Sequence, residues 1–210
     1  MAFVPLMIDL TGKQIKVIGG GKIAERRVNA LISSGGTIEI ISPEITEHLH
    51  QLFQENKIKW CEKIFEPCDL EHADFIVSAT NQVAVNKAIK EAMPDNALIN
   101  MVDDAEEGNV VFPGTLTRGK LQISVSSHGA SPKLVRSILK DLNEQYPENY
   151  SDYVDFLYLC RMKIKKINIE ESEKQALLSM ILRKQYFNTH EQNELIEWLE
   201  QQLKKGVREE

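Results

Sequence analysis

An α/β fold built on a parallel sheet is predicted for this chain of 210 residues by three observations. Short β-branched runs alternate with helix-patterned stretches through the first half of the chain. The first run breaks into three glycines, Gly19 to Gly21, and passes directly into a helix pattern. Beyond Tyr150 only helical periodicity remains, so a helical part follows the α/β part.

The elements follow in order. Ile15 to Ile18 reads as a strand, and Ala24, Val28, Leu31 and Ile32 recur at helical spacing until Ser33-Ser-Gly-Gly36 stops them. Thr37 to Ile41 is a second β-branched strand, closed by Ser42-Pro43. A helix over Glu44 to Glu55, strands over Ile58 to Glu62 and Phe75 to Ala79, a helix over Val83 to Ala92 and a strand over Ala97 to Asn100 continue the alternation. Asn81 is the expected cap of the Val83 helix. Gly114 to Arg118 and Leu121 to Ser126 then read as a hairpin around Gly119-Lys120. Ser131 is an expected N-cap with Pro132 in the first turn of a helix whose stripe is Leu134, Val135, Ile138, Leu139 and Leu142; that stripe requires a partner surface. Three helical stretches close the chain: Tyr150 to Ile167, Glu170 to Lys184 and Thr189 to Lys205.

Composition excludes several classes. A formal net charge of −6 argues against a general nucleic-acid binder, which needs a basic surface. No apolar stretch has the length of a membrane span. The opening MAFVPLMIDL lacks a basic region and a cleavage site, so we expect the protein's own start and a cytoplasmic location. Cys61, Cys68 and Cys160 form no framework spacing, which fits reduced thiols. Cys61, Cys68 and His72 match no common zinc pattern, and no metal site is expected.

The glycine turn carries the first functional reading. Read as Gly19-x-Gly21-x-x-Ala24, it fits a dinucleotide-binding turn. Gly19 permits the turn, Gly21 leaves room for a pyrophosphate, and Ala24 lets helix and strand approach. The amides opening the helix then face the phosphates. The acid that ordinarily meets the adenosine ribose, about 20 residues on, is missing, since Ile41, Ser42 and Pro43 stand there. No Arg or Lys replaces it for a 2′-phosphate, so NADP is not favoured, although residues alone leave NAD against NADP open. On a parallel sheet the strand ends converge, bringing Gly19–Gly21, Ser42–Pro43, Thr80–Asn81 and Asn100–Asp104 to one crevice.

Pro5-Leu6 with Asp9-Leu10, Val17 to Arg26, Ser78-Ala-Thr80, Asn100-Met-Val-Asp103, Val111-Phe-Pro113 and Ser126-Ser-His-Gly-Ala-Ser-Pro132 occur in this order. Together they resemble the precorrin-2 dehydrogenase family of sirohaem biosynthesis, which also forms the N-terminal part of sirohaem synthase. The resemblance covers residues 1 to 145 or so. It implies a Rossmann-type NAD-binding domain over 1–113, a strand-helix dimerisation segment over 114–147 and a helical C-terminal domain over 148–210. It implies oxidation of precorrin-2, a tetrapyrrole, to sirohydrochlorin with NAD, by a homodimer. Cofactor contacts fall on Gly19, Gly21, Lys22, Ile23, Ala24, Pro43, Glu44 and Thr80. The missing ribose acid becomes a point of agreement, since the family lacks a dependable one.

The family's catalytic aspartate falls on Asp103. The residues alone make a weaker case: a carboxylate at a strand's C-terminal end, beside a nicotinamide, can take a proton as hydride leaves. Burial or a neighbouring negative charge, here Asp104 or the substrate's carboxylates, is the expected aid to such a base. The Ser127-His128 turn before a helix start can cradle an anion through backbone amides, and a substrate ringed with carboxylates gives it a purpose. Lys133 and Arg136, with Arg118 and Lys120 on the hairpin, add positive charge there. An alternative is a bifunctional enzyme that also inserts ferrous iron into sirohydrochlorin. A non-enzymatic NAD(H)-sensing module is the other, and it leaves Asn100–Asp103 and Ser126–Pro132 without work.

Overall fold

Ile15, Val17 and Ile18 are buried almost completely, and this apolar run forms β1 (Gln14–Ile18), the middle strand of a five-stranded sheet. The structure is a computed structural model that describes residues 3–104 and 107–206, the last two by their backbone alone. It divides into two compact units at Phe112 and Pro113.

The first unit is the Rossmann-type α/β part. Its elements are β1, α1 (Lys22–Leu31), β2 (Thr37–Ile41), α2 (Glu47–Gln54), β3 (Lys59–Cys61), β4 (Phe75–Ser78), α3 (Val83–Ala92) and β5 (Leu98–Met101). Strand order is β3-β2-β1-β4-β5, every pair parallel. The path from β3 to β4 therefore steps back across the sheet, carried by a single 3-10 turn, Pro67–Leu70, where the other crossovers use helices. Reversal of strand order between β1 and β4 leaves a crevice beyond their C-terminal ends.

Helices α1 and α2 cover one face. Ala24, Val28, Leu31, Leu49 and Leu52 pack there on Ile15, Val17, Ile38, Ile40, Phe75 and Val77. On the other face Ile89 of α3 and Leu70 of the 3-10 turn pack on Ile18, Ile76, Ile99 and Met101. Strand β4 is buried at all four positions, as a strand covered on both faces must be. Lys16 and Glu39 stand opposite each other on β1 and β2 and form a partly buried ion pair. Glu39, the in-strand acid near the empty ribose position, is thereby engaged inside the sheet.

The second unit contains the hairpin β6 (Gly114–Arg118) and β7 (Leu121–Val125), then α4 (Pro132–Gln145), α5 (Tyr150–Ile164), α6 (Glu171–Met180) and α7 (Thr189–Gly206). Helix α4 packs across the hairpin, with Val135 and Leu139 lying against Gly114. A separate core forms from Tyr153, Phe156, Cys160, Ile164, Ile181, Tyr186 and Leu199. Arg118 departs from the sequence expectation. It is 9% exposed, and its guanidinium donates to the Tyr146 carbonyl (2.7 Å), Asn143 Oδ1 (2.6 Å) and its neighbour's carbonyl at Thr117 (2.9 Å). It ties the C-terminal end of α4 to the hairpin and offers no free charge to a ligand. Lys120 likewise sits over the Tyr158 ring, 4.6 Å from its centroid. Among the described residues no helix is long and apolar enough to cross a membrane.

Candidate functional site

The site begins with three glycines: the first two leave no room for a side chain, each for its own reason, and the third faces open space. Gly19 has φ +110°, and a Cβ there would lie 2.5 Å from the Ala79 carbonyl oxygen at the end of β4. Only glycine lets β1 and β4 end this closely. At Gly20 a Cβ would fall 1.9 Å from the Glu44 carbonyl oxygen, because the segment after β2 folds back on the turn. Ser42 Oγ donates to that carbonyl (2.7 Å), Thr46 N–H donates to the Gly20 carbonyl (3.0 Å), and Trp60 Nε1 donates to the Ser42 carbonyl (2.9 Å). Gly21 has nothing within 4 Å of its would-be Cβ. The space that the dinucleotide reading asks for at this position exists.

Gly21 is also the N-cap of α1, with extended backbone and no side-chain cap. The amides of Lys22, Ile23 and Ala24 have no acceptor among the described residues, so the positive end of the helix is left for an anion. Ala24 is fully buried, consistent with close helix–strand contact. The Lys22 ammonium is exposed and pairs with Glu25 at 3.2 Å. Glu25 in turn accepts from Thr46 Oγ1, and that bond, before the lysine, holds its carboxyl below the ordinary value.

A cleft of about 540 Å³ opens here, lined by Gly19–Lys22 and Ile23 from the first turn, Ser42 and Pro43 after β2, Thr80 after β4, and Asp103 after β5. The convergence expected from topology is met at all four strand ends. Ile64, Phe65, Val85 and Val102 supply apolar lining that the motifs did not point to. Glu44 lies outside this cleft. With Pro43, Glu47, His50, Trp60 and Glu62 it borders a shallower hollow beside the end of β2. Asn81 lines the cleft but does not cap α3: the N-cap is Gln82, and the Gln82 amide donates to Thr80 Oγ1 (3.0 Å). The threonine one residue earlier wins because its hydroxyl closes the turn two residues on.

Asp103 is exposed, so the burial named as one aid to the base is not present. Its Oδ2 accepts from Asn86 Nδ2 at 2.5 Å, and Oδ1 has no partner among the described residues. The loop carrying it is cinched at its base. Asn109 N–H and Val110 N–H both donate to the Ile99 carbonyl (3.0 Å each), Ile99 N–H donates to Asn109 Oδ1 (2.7 Å), and Asn100 Nδ2 donates to the Val110 carbonyl (2.8 Å). Asn100 therefore serves as the fastener of that loop. Sequence reasoning missed Asn86. Its one signal was spacing, since Asn86 and Ile89 share the inward face of α3.

Ser127, His128, Lys133 and Arg136 belong to the second unit. Ser127 Oγ accepts from Ser131 N–H (3.1 Å), Ser126 Oγ from His128 N–H (3.3 Å), and the Ser127 carbonyl from Ala130 N–H (2.9 Å). Ser131 caps α4 by accepting from Leu134 N–H (3.2 Å), as expected. The amides of His128, Ala130 and Ser131 are thus bonded within the turn, which corrects the idea of an amide cradle at those three positions. His128 has φ +49° and Gly129 φ +83°, so the turn is left-handed at two successive residues. Lys133 is exposed, and Arg136 is exposed with Nε 3.4 Å from the Pro132 carbonyl. Cys61, Cys68 and His72 do not gather; the one carboxylate-imidazole group close enough for a metal among the described residues is His190, Glu191 and Glu194 on α7.

Comparisons with known proteins agree along the chain. A family model described as NAD(P)-binding matches residues 6–114, one described as sirohaem biosynthesis protein, central, matches 118–145, and one described as SirC C-terminal domain matches 150–195. The precorrin-2 dehydrogenase of Priestia megaterium is 36% identical over 181 residues, covering 86% of this chain and 90% of that one. The precorrin-2 dehydrogenase of Bacillus subtilis strain 168 is 38% identical over 160 residues, covering 76% and 99%. A solved structure titled SirC, precorrin-2 dehydrogenase, superposes with a TM-score of 0.84 at 34% identity, covering 95% of this chain and all of that one.

Proposed function

From the premise that the chain belongs to the precorrin-2 dehydrogenase family, we propose that it oxidises precorrin-2 to sirohydrochlorin with NAD and uses Asp103 as the base. It is an oxidoreductase of sirohaem biosynthesis that works with a nicotinamide dinucleotide. The observation that carries the reading of the site is the meeting of the uncapped Gly21 helix start, Thr80 and Asp103 in one cleft.

Removing two hydrogens from the substrate releases a hydride and a proton. A nicotinamide held in the cleft would supply the hydride acceptor. The chain's own residues do the rest. Gly21 admits the pyrophosphate, and the amides of Lys22, Ile23 and Ala24 bind it. Asp103 Oδ1, with no partner among the described residues, takes the proton while Oδ2 stays bonded to Asn86. Thr80 and Pro43 line the cleft where they would help hold the dinucleotide, and the apolar Ile64, Phe65 and Val102 would exclude water there.

Preference for NAD over NADP is supported by charge. Glu44, Glu47 and Glu62 border the hollow at the end of β2, where a 2′-phosphate would be repelled. Ser127, His128, Lys133 and Arg136 form the substrate-binding set, with the exposed side chains of Lys133 and Arg136 meeting carboxylates. The homodimer is supported by α4, which buries none of its residues and leaves Leu134 53% exposed. Three free cysteines support a cytoplasmic, reducing location.

The test supplies precorrin-2 with NAD or NADP to the purified chain. NADH absorbance rising in step with the sirohydrochlorin spectrum is the expected result, with NADP at least about tenfold poorer in kcat/KM, equivalent to ~1.4 kcal/mol. No reduced cofactor and no sirohydrochlorin would overturn the reading; equal use of NADP would overturn the cofactor preference.

A further inference from the structure

We propose that Asn86 is a positioning residue for the dehydrogenation, holding the Asp103 carboxylate in the orientation from which it takes the proton. This rests on the reading of Asp103 as the base.

Asn86 lies one turn into α3, on the face that packs on the sheet, and is 4% exposed. An amide at such a position costs stability unless each polar atom is bonded. Here each is. Oδ1 accepts from Ser78 Oγ–H at 2.8 Å, and Nδ2 donates to the Thr80 carbonyl at 3.3 Å and to Asp103 Oδ2 at 2.5 Å. The amide has one workable orientation. Reversed, its oxygen would face a carbonyl and a carboxylate with no proton between them. Ser78, at the end of β4 and fully buried, completes the lock. Three groups at the ends of β4 and β5 are thus joined through one side chain.

Two of these bonds are explained by packing α3 on the sheet. The third is not, because it reaches an exposed side chain whose capture adds nothing to the core. An exposed aspartate otherwise samples several rotamers, and a reacting group misplaced by about 1 Å costs on the order of 100-fold in rate. The Asn86 bond removes that freedom from Oδ2 and leaves Oδ1, on a residue that lines the cleft, without a partner among the described residues.

The experiment compares N86D, N86A, D103N and the double variant N86D/D103N in the full-length enzyme, by single-turnover rate, steady-state kcat and KM, NAD dissociation constant and thermal midpoint. An ionised N86D keeps the size and the Ser78 acceptor but loses the donors and repels Asp103, and N86A loses the donors without adding a charge. We expect both N86D and N86A to lower kcat by about 10- to 100-fold with NAD affinity within about twofold. In the D103N background N86D should add little further loss, because both act through one carboxylate. Should N86D fail to fold, N86A carries the test, and an unchanged kcat would overturn the proposal. A loss confined to KM, NAD affinity or thermal midpoint, or effects of N86D and D103N that multiply, would also overturn it. D103N with undiminished turnover would instead overturn the base assignment and the positioning role with it; an inactive D103N beside a fully active N86D would overturn the positioning role alone.

Discussion

Replacing Gly20 and Gly21 separately by alanine should divide stability from cofactor binding between neighbouring residues. At Gly20 the new methyl would sit 1.9 Å from the Glu44 carbonyl oxygen, some 1.5 Å short of the 3.4 Å at which ordinary contact begins. Ile45 Cγ2, at 2.8 Å, blocks a sideways escape. The Ser42–Thr46 segment must retreat, and its bonds to Gly20 and within itself (Thr46 N–H at 3.0 Å, Ser42 Oγ at 2.7 Å) go with it. Overpacking costs about 1–3 kcal/mol and two hydrogen bonds add about 1 kcal/mol each, so Gly20→Ala should cost roughly 3–5 kcal/mol. For a unit of this size that corresponds to a fall of roughly 15 °C in Tm. At Gly21 nothing lies within 4 Å. Its φ of −81° suits alanine, and a modest N-cap loss of about 0.5–1 kcal/mol is offset by lower unfolded-state entropy. The Gly21→Ala midpoint should therefore stay within a few degrees of wild type. Its methyl would stand where phosphates approach the α1 amides, and NAD affinity should fall at least about tenfold. Thermal melts paired with calorimetric NAD titrations read both quantities. A Gly20→Ala protein as stable as wild type would refute the close approach of the β2 loop, and wild-type NAD affinity in Gly21→Ala would refute the placement of the pyrophosphate.

Other consequences are independent of the cofactor. Arg118→Met should destabilise the second unit by about 2–4 kcal/mol, since it orphans the Tyr146 carbonyl and Asn143 Oδ1. A urea midpoint unchanged by the substitution would show that these bonds do not hold α4. Burial pushes the Cys160 thiol up to about 11, while Cys68 is exposed. Thiol reagents at neutral pH should therefore label Cys68 in the native protein and Cys160 only on unfolding, and mass spectrometry showing equal rates would contradict this. The Asp74 carboxyl is held below its ordinary 3.8, first by the Gln14 N–H and then by the Lys13 side chain. A depressed folded-state value stabilises the protein above the unfolded value and is lost as pH falls below it. Asp74→Asn should flatten the loss of stability between about pH 5 and pH 2; identical slopes for variant and wild type would remove Asp74 from the acid response.

What was legible in the residues was local, and what was not depended on neighbours distant in the chain. β1, β2 and β4 announced themselves as short runs rich in β-branched residues, although only β4 is buried at every position. Gly19 and Gly21 were legible because their constraint lies in the backbone of a turn. Gly20 was not, since its reason is a carbonyl from a segment beyond the next strand. The step from β3 back to β4 rests on a 3-10 turn too short to carry periodicity, yet it creates the crevice. Arg118 was misread as a surface charge although it stands two residues from buried Leu116, on the same face of β6. Asn86 was passed over because one amide in an amphipathic helix reads as solvated until its three partners, none of them on α3, are seen together.

The central claim is that the cleft holds the dinucleotide while Asp103 removes the proton, and one comparison addresses both halves. The rate of NADH formation from precorrin-2 and the NAD dissociation constant are measured side by side for wild type and Asp103→Ala. The account predicts a rate lower by at least about 100-fold, the contribution of a positioned base, with NAD bound as tightly as before. A variant that turns over at the wild-type rate, or that loses turnover only because NAD no longer binds, would contradict it.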